Sequence, residues 1–203
     1  MKKYFTLGAI LLTAFALWTA AVCLADVQPI GPEGSEVGFA ALNGWFHRLT
    51  GVHLWLYTLT DWLSLVPVGV MLGFALLGLK QWVVRKNLRK VDGELLALGL
   101  FYAVVLAVYL LFEMWVVNYR PVLLGGGMEA SYPSSTTVLV LCVMGTAMMR
   151  LPGYRLPMGI FAALMVAGRL LSGVHWLTDV IGGALLGGGL VMVYGGTLRW
   201  IRK

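Results

Sequence analysis

An all-α bundle of six helices crossing a lipid bilayer is the architecture to expect from this chain, on three observations. Hydrophobic residues fill 60% of its 203 positions and charged residues only 12%, and the mean hydropathy is +0.85. That is more apolar surface than a water-soluble domain can hide, so lipid is the natural solvent. Six runs approach the ~20 apolar residues that span the hydrocarbon core. The basic residues collect between alternate runs, as they do in the cytoplasmic loops of membrane proteins.

The first run covers 4–24, behind Lys2 and Lys3. The same pattern also fits a cleavable signal peptide, since it closes on Cys23-Leu24-Ala25; either reading brings the second run in from the same side. An outer segment, 26–61, follows. Gly31-Pro32-Glu33-Gly34-Ser35 marks an exposed turn within it. Trp45, Phe46, Trp55, Tyr57 and Trp62 then predict a partly helical stretch at the membrane interface, where amphipathic rings settle. The remaining runs cover 62–84, 95–117, 137–149, 157–171 and 176–198. The fourth and fifth are short and gain a turn from 134–136 and 172–174. In the sixth, Gly182-Gly183 and Gly187-Gly188-Gly189 permit close helix approach, within one chain or between chains. No repeat or second domain is evident: 1–203 reads as one transmembrane domain with a motif-bearing core at 94–199. Cys23 and Cys142 lie inside apolar runs and predict neither a disulfide nor a cysteine-bound metal.

Twelve of the 15 lysines and arginines fall on one side of this layout. They are Lys2 and Lys3; Lys80, Arg85, Lys86, Arg89 and Lys90; Arg150 and Arg155; and Arg199, Arg202 and Lys203. Both termini are therefore expected on the cytoplasmic face, most simply of a bacterial plasma membrane. The net charge of +6 is spent on orientation, not on nucleic acid. Arg48, Arg120 and Arg169 stand against the rule on the other face.

Charge at membrane depth is expensive and marks function by default. On the outer face the candidates are Glu113, Arg120, Arg169, His175 and Asp179. His175 and Asp179 are four residues apart, one face of a helix if the sixth run begins that early. A carboxylate there fixes an imidazole tautomer, the arrangement that makes histidine a base or a nucleophile. Two arginines supply forked donors suited to phosphate. A helix-end His–Asp pair with two arginines meeting lipid headgroups would look the same.

The order of the motifs separates these readings. The chain carries Glu113-x6-Arg120-Pro121, Pro133-Ser134-Ser135-Thr136 and Gly168-Arg169-x5-His175-x3-Asp179. It resembles the phosphatidic acid phosphatase type 2 superfamily, whose signatures are K-x6-R-P, P-S-G-H and S-R-x5-H-x3-D. The resemblance implies that family's haloperoxidase-like helical bundle. It also implies a metal-independent, cofactor-free lipid phosphatase that passes through a phosphohistidine on His175. Asp179 would orient that histidine, and Arg120, Arg169, Ser134 and Ser135 would hold phosphoryl oxygens. The implied partners are a lipid phosphate or a polyprenyl diphosphate such as undecaprenyl diphosphate, and membrane lipids.

All three signatures carry differences from the family pattern. Thr136 replaces the histidine that protonates the leaving group, a role worth ~10²–10⁴-fold. Glu113 replaces the lysine and Gly168 a serine. A diphosphate substrate would need no acid, because its leaving group is a phosphate monoester with a second pKa of about 6. Alternatively Glu113, Glu129, His47 or His53 supplies the proton. For these the plainer roles are Glu113 pairing with Arg120 or Arg169, Glu129 capping the next helix, and the histidines lying at the interface. The third reading is a phospholipid-binding scaffold, or a transferase that passes the phosphoryl group to another lipid.

Overall fold

The computed structural model describes residues 1–203. Its regular structure is helical: α1 Lys2–Leu24, α2 Ala40–Thr50, α3 Leu54–Leu63, α4 Leu65–Arg85, α5 Gly93–Met114, α6 Ser135–Arg150, α7 Arg155–Leu171 and α8 Leu177–Ile201. Five stretches are long and apolar enough to cross a membrane: α1, α3 with α4, α5, α7 with the turn before it, and α8. The sixth expected run, α6, has 16 residues and falls short of that length by itself. The expected interfacial stretch is two helices, α2 and α3. The second run does not start cleanly at Trp62, because α3 meets α4 at Ser64 with helical backbone angles.

α8 is the buried centre, packed along α1, α6 and α5. Its glycines serve close contacts within the chain. A Cβ at Gly189 would stand 2.8 Å from Leu12 of α1, so the α1–α8 seam closes only because that atom is missing. Leu98, Phe101, Val138, Cys142, Leu186 and Tyr194 form the apolar core between α5, α6 and α8.

Helix direction gathers 2–4, 85–94, 150–155 and 199–203 at one end of the bundle. There Arg199 Nη2 donates to Tyr4 Oη at 3.2 Å, and Arg202 and Arg150 both reach Glu94. The loops at 25–39, 115–134 and 172–176 gather at the other end, and with them the signature residues.

Candidate functional site

The loop between α5 and α6 folds back on itself. Gly125 and Gly126, with φ of +66° and +84°, turn the chain. The returning arm pairs with the outgoing one: Arg120 N donates to Glu129 O at 3.0 Å and Ser131 N to Asn118 O at 2.9 Å. This register sets Arg120 beside Glu129 and Asn118 beside Ser131. The Trp176 indole N–H then donates to Tyr119 O at 2.8 Å, clamping the loop to the start of α8.

His175 does not lie on α8, contrary to the expected shared helix face. The reason is the helix cap. Asp179 Oδ2 accepts from Trp176 N at 2.9 Å, so the carboxylate closes the first turn and leaves His175 just before it. His175 Nδ1 is 3.8 Å from Asp179 Oδ2, beyond hydrogen-bond reach. Ser131 fills the gap. Its Oγ lies 3.1 Å from His175 Nδ1 and donates to Asp179 Oδ2 in a short contact. Asn118 Nδ2 donates to the other carboxylate oxygen, Oδ1, at 3.1 Å. On the far side of the ring, Arg120 Nη1 is 3.2 Å from His175 Nε2.

These contacts fix the imidazole's protonation. A guanidinium can only donate, so Nε2 must accept and carry a lone pair. Ser131, having given its proton to Asp179, accepts from Nδ1–H. His175 is 3% exposed, and burial holds its pKa below the ordinary histidine value; Arg120 and Arg169 push the same way, against the opposing pull of Asp179. The result is a neutral ring with its free nitrogen facing a guanidinium.

Arg169, at the end of α7, is 2% exposed. It neither bonds to His175 nor pairs with Glu113. Its Nη2 donates to Asp61 Oδ1 of α3 at 3.0 Å, its guanidinium lies 4.8 Å from the Tyr57 ring centroid, and its Nε and Nη1 are buried with no partner. Gly168 explains how α3 comes so near: a Cβ there would sit 2.6 Å from Thr60 Cγ2. Arg120 pairs instead with Glu129, Nε to Oε2 at 3.0 Å, although that N–H is not aligned for a hydrogen bond.

Glu129 therefore pairs with Arg120 and does not cap α6. Glu113 is exposed and forms no ion pair with either arginine, correcting the pairing expected for it. It lines a cavity of about 510 Å³, together with Thr136, Ser135 and Ser131 and mostly apolar side chains of α5 and α6. The two positions that depart most from the family pattern thus face one cavity, and Ser131 joins that cavity to His175. Ser134 is fully buried, and its Oγ accepts from Thr137 at 3.0 Å. His47 Nε2 meets Gly173 O at 3.2 Å and its ring packs on Trp176, whereas His53 is exposed and contacts Thr50 O. Neither reaches the His175 ring. Sequence reasoning missed Ser131, Asn118 and Asp61. Their signal was polarity at the outer helix ends, and for the first two closeness to a signature.

Residues 108–201 match the family model of the PAP2 superfamily, a span holding all three signatures, and the resemblance read from the sequence is borne out there. Among solved structures, the fold is similar to the first transmembrane PAP2 type phosphatidylglycerolphosphate phosphatase from Bacillus subtilis. The TM-score is 0.65 at 19% identity, over 95% of this chain and 96% of that one. Among curated proteins none matches.

Proposed function

From the PAP2 superfamily match over residues 108–201, we propose that this membrane protein is a lipid phosphatase that removes a terminal phosphate through a phosphohistidine on His175. The observation that carries the reading is the buried neutral imidazole, with Nε2 turned to Arg120 and Nδ1–H held through Ser131 to Asp179.

In the first displacement the Nε2 lone pair forms a bond to phosphorus as the bond to the leaving oxygen breaks, its electron pair departing with the leaving group. The positive charge on the ring is met by Asp179 through Ser131, with Asn118 holding the carboxylate. Arg120 moves its donor from Nε2 to the phosphoryl oxygens, and the unpartnered N–H groups of Arg169 offer two more. In the second displacement water attacks phosphorus and the N–P bond electrons return to Nε2, releasing phosphate and a proton. The amides opening α6 at Ser135 suit an anion as well. The apolar cavity between α5 and α6 is sized for part of a lipid tail.

Thr136 cannot act as the acid, and the reading absorbs this through the substrate. A lipid diphosphate releases a phosphate monoester, which departs without a proton donor near neutral pH. Polyprenyl diphosphates are thus preferred over phosphatidic acid, and the site faces the extracytoplasmic side. Initial rates of phosphate release in detergent over a lipid panel test the preference. Faster turnover of the diphosphate is the expected result, and a clear preference for the alkyl monoester contradicts it.

A further inference from the structure

Asp61 belongs to the outer segment and to none of the three signatures, yet it holds Arg169, one of the two arginines assigned to the phosphoryl group. Its Oδ1 is 3.0 Å from Arg169 Nη2; the carboxylate side chain is 59% exposed and the guanidinium 3%. A half-solvated carboxylate that accepts from a buried guanidinium has the charge, size and hydrogen-bonding pattern of one edge of a phosphate.

Several contacts keep it there. Tyr57 and Thr60, on the same helix, meet Arg169 and Gly168, and glycine is the residue that lets Thr60 in. His53 N donates to Ser172 O at 2.9 Å. Just past it, a Cβ at Gly173 would fall 2.0 Å from Gly51 O, so the segment rests backbone to backbone on the loop that carries His175. The replacement of the family serine by Gly168 and the presence of Asp61 on Arg169 therefore share one cause, the close docking of α3 on α7.

We infer that Asp61 is a resident counter-anion of Arg169, competing with the incoming phosphoryl group and setting how tightly the site holds phosphate. This rests on the phosphatase reading of the same site. Two guanidinium nitrogens of Arg169, Nε and Nη1, stay buried and unpartnered beside the carboxylate, so an arriving oxygen finds donors but shares the guanidinium with a fixed negative charge. Glu129 does the same on Arg120. The two arginines face substrate already balanced by two carboxylates, which favours release of the product phosphate over its retention.

The full-length protein in detergent, titrated with inorganic phosphate, tests this by thermal protection and by competitive inhibition of phosphate release. Asp61→Asn is expected to tighten phosphate binding about five-fold and to lower KM, while Asp61→Glu keeps wild-type affinity. An Asp61→Asn protein that binds phosphate no tighter than wild type overturns the counter-anion role and leaves the phosphatase reading standing. Absence of phosphate binding by wild type and variant alike overturns both. Asp61 is largely exposed, and the folded state of each variant is read in the same melting experiment.

Discussion

At the basic end of the bundle Glu94 accepts from Arg150 at 3.0 Å and from Arg202 at 2.7 Å, and Arg150 also lies 3.6 Å from Asp92. At the opposite end Arg120 meets Glu129 and His175, and Arg169 meets Asp61. Both ends use arginine and carboxylate, but the burial of their central groups separates them. Arg169, His175 and Asp179 are at most 3% exposed, although the carboxylates paired with the site arginines, Glu129 and Asp61, reach solvent; at the basic end Arg150 and Glu94 are only partly covered and Arg202 is exposed. Exposed pairs contribute about 0–1 kcal/mol each and tie helix ends together. Buried groups keep their place only inside a network, and such networks are where chemistry is found. The partnering differs as well: Glu94 gathers two arginines, while each arginine at the other end retains N–H groups without an aligned acceptor.

The largest effect separating the two ends is expected at His175. His175→Ala should lower phosphate release by at least ~10³-fold, because it removes the attacking atom, while Arg150→Ala at the basic end changes kcat less than about two-fold. Next is Ser131→Ala. Without the hydroxyl, the 3.8 Å gap between His175 and Asp179 leaves the ring unheld, and a loss of roughly 10–100-fold in kcat is expected, the scale of orienting groups elsewhere. Its KM should hold, which a folding defect would not reproduce. Glu113→Gln follows, with a change below about three-fold on a lipid diphosphate at every pH, because Glu113 touches neither arginine nor His175. A lost basic limb in its pH–rate profile would instead make Glu113 the acid.

Protonation gives a further contrast. His175 has a folded pKa below its unfolded value of about 6.5, so the unfolded chain takes up its proton first as pH falls. Stability should drop as pH is lowered from about 6.5 through the folded pKa, and His175→Gln should remove that slope in thermal melts. The smallest effect is expected at the basic end, where Glu94→Gln costs about 1 kcal/mol of stability and leaves activity intact.

Much of this was legible in the sequence. Long charge-free runs predict helices because lipid leaves the backbone no other partner, and basic residues sort the two ends. Motif spacing brought Arg120 and His175 into one neighbourhood because each signature sits at a helix end. The rest depended on contacts that no local pattern encodes. His175 falls off α8 because Asp179 caps the helix, a choice that i,i+4 spacing does not reveal. Ser131 reaches the imidazole through the register of a loop turned at Gly125 and Gly126. Asp61 meets Arg169 across 108 residues of sequence, through a docking of α3 whose trace in the chain is a glycine where the family has serine.

The most direct test is to trap the phosphoryl group. Purified protein mixed briefly with lipid diphosphate labelled in its terminal phosphate, then quenched in alkali, should carry acid-labile label on His175 that is absent from His175→Ala and reduced in Ser131→Ala. Wild-type turnover with no label on the protein, or undiminished turnover by His175→Ala, would contradict a nucleophilic imidazole held between Arg120 and Ser131.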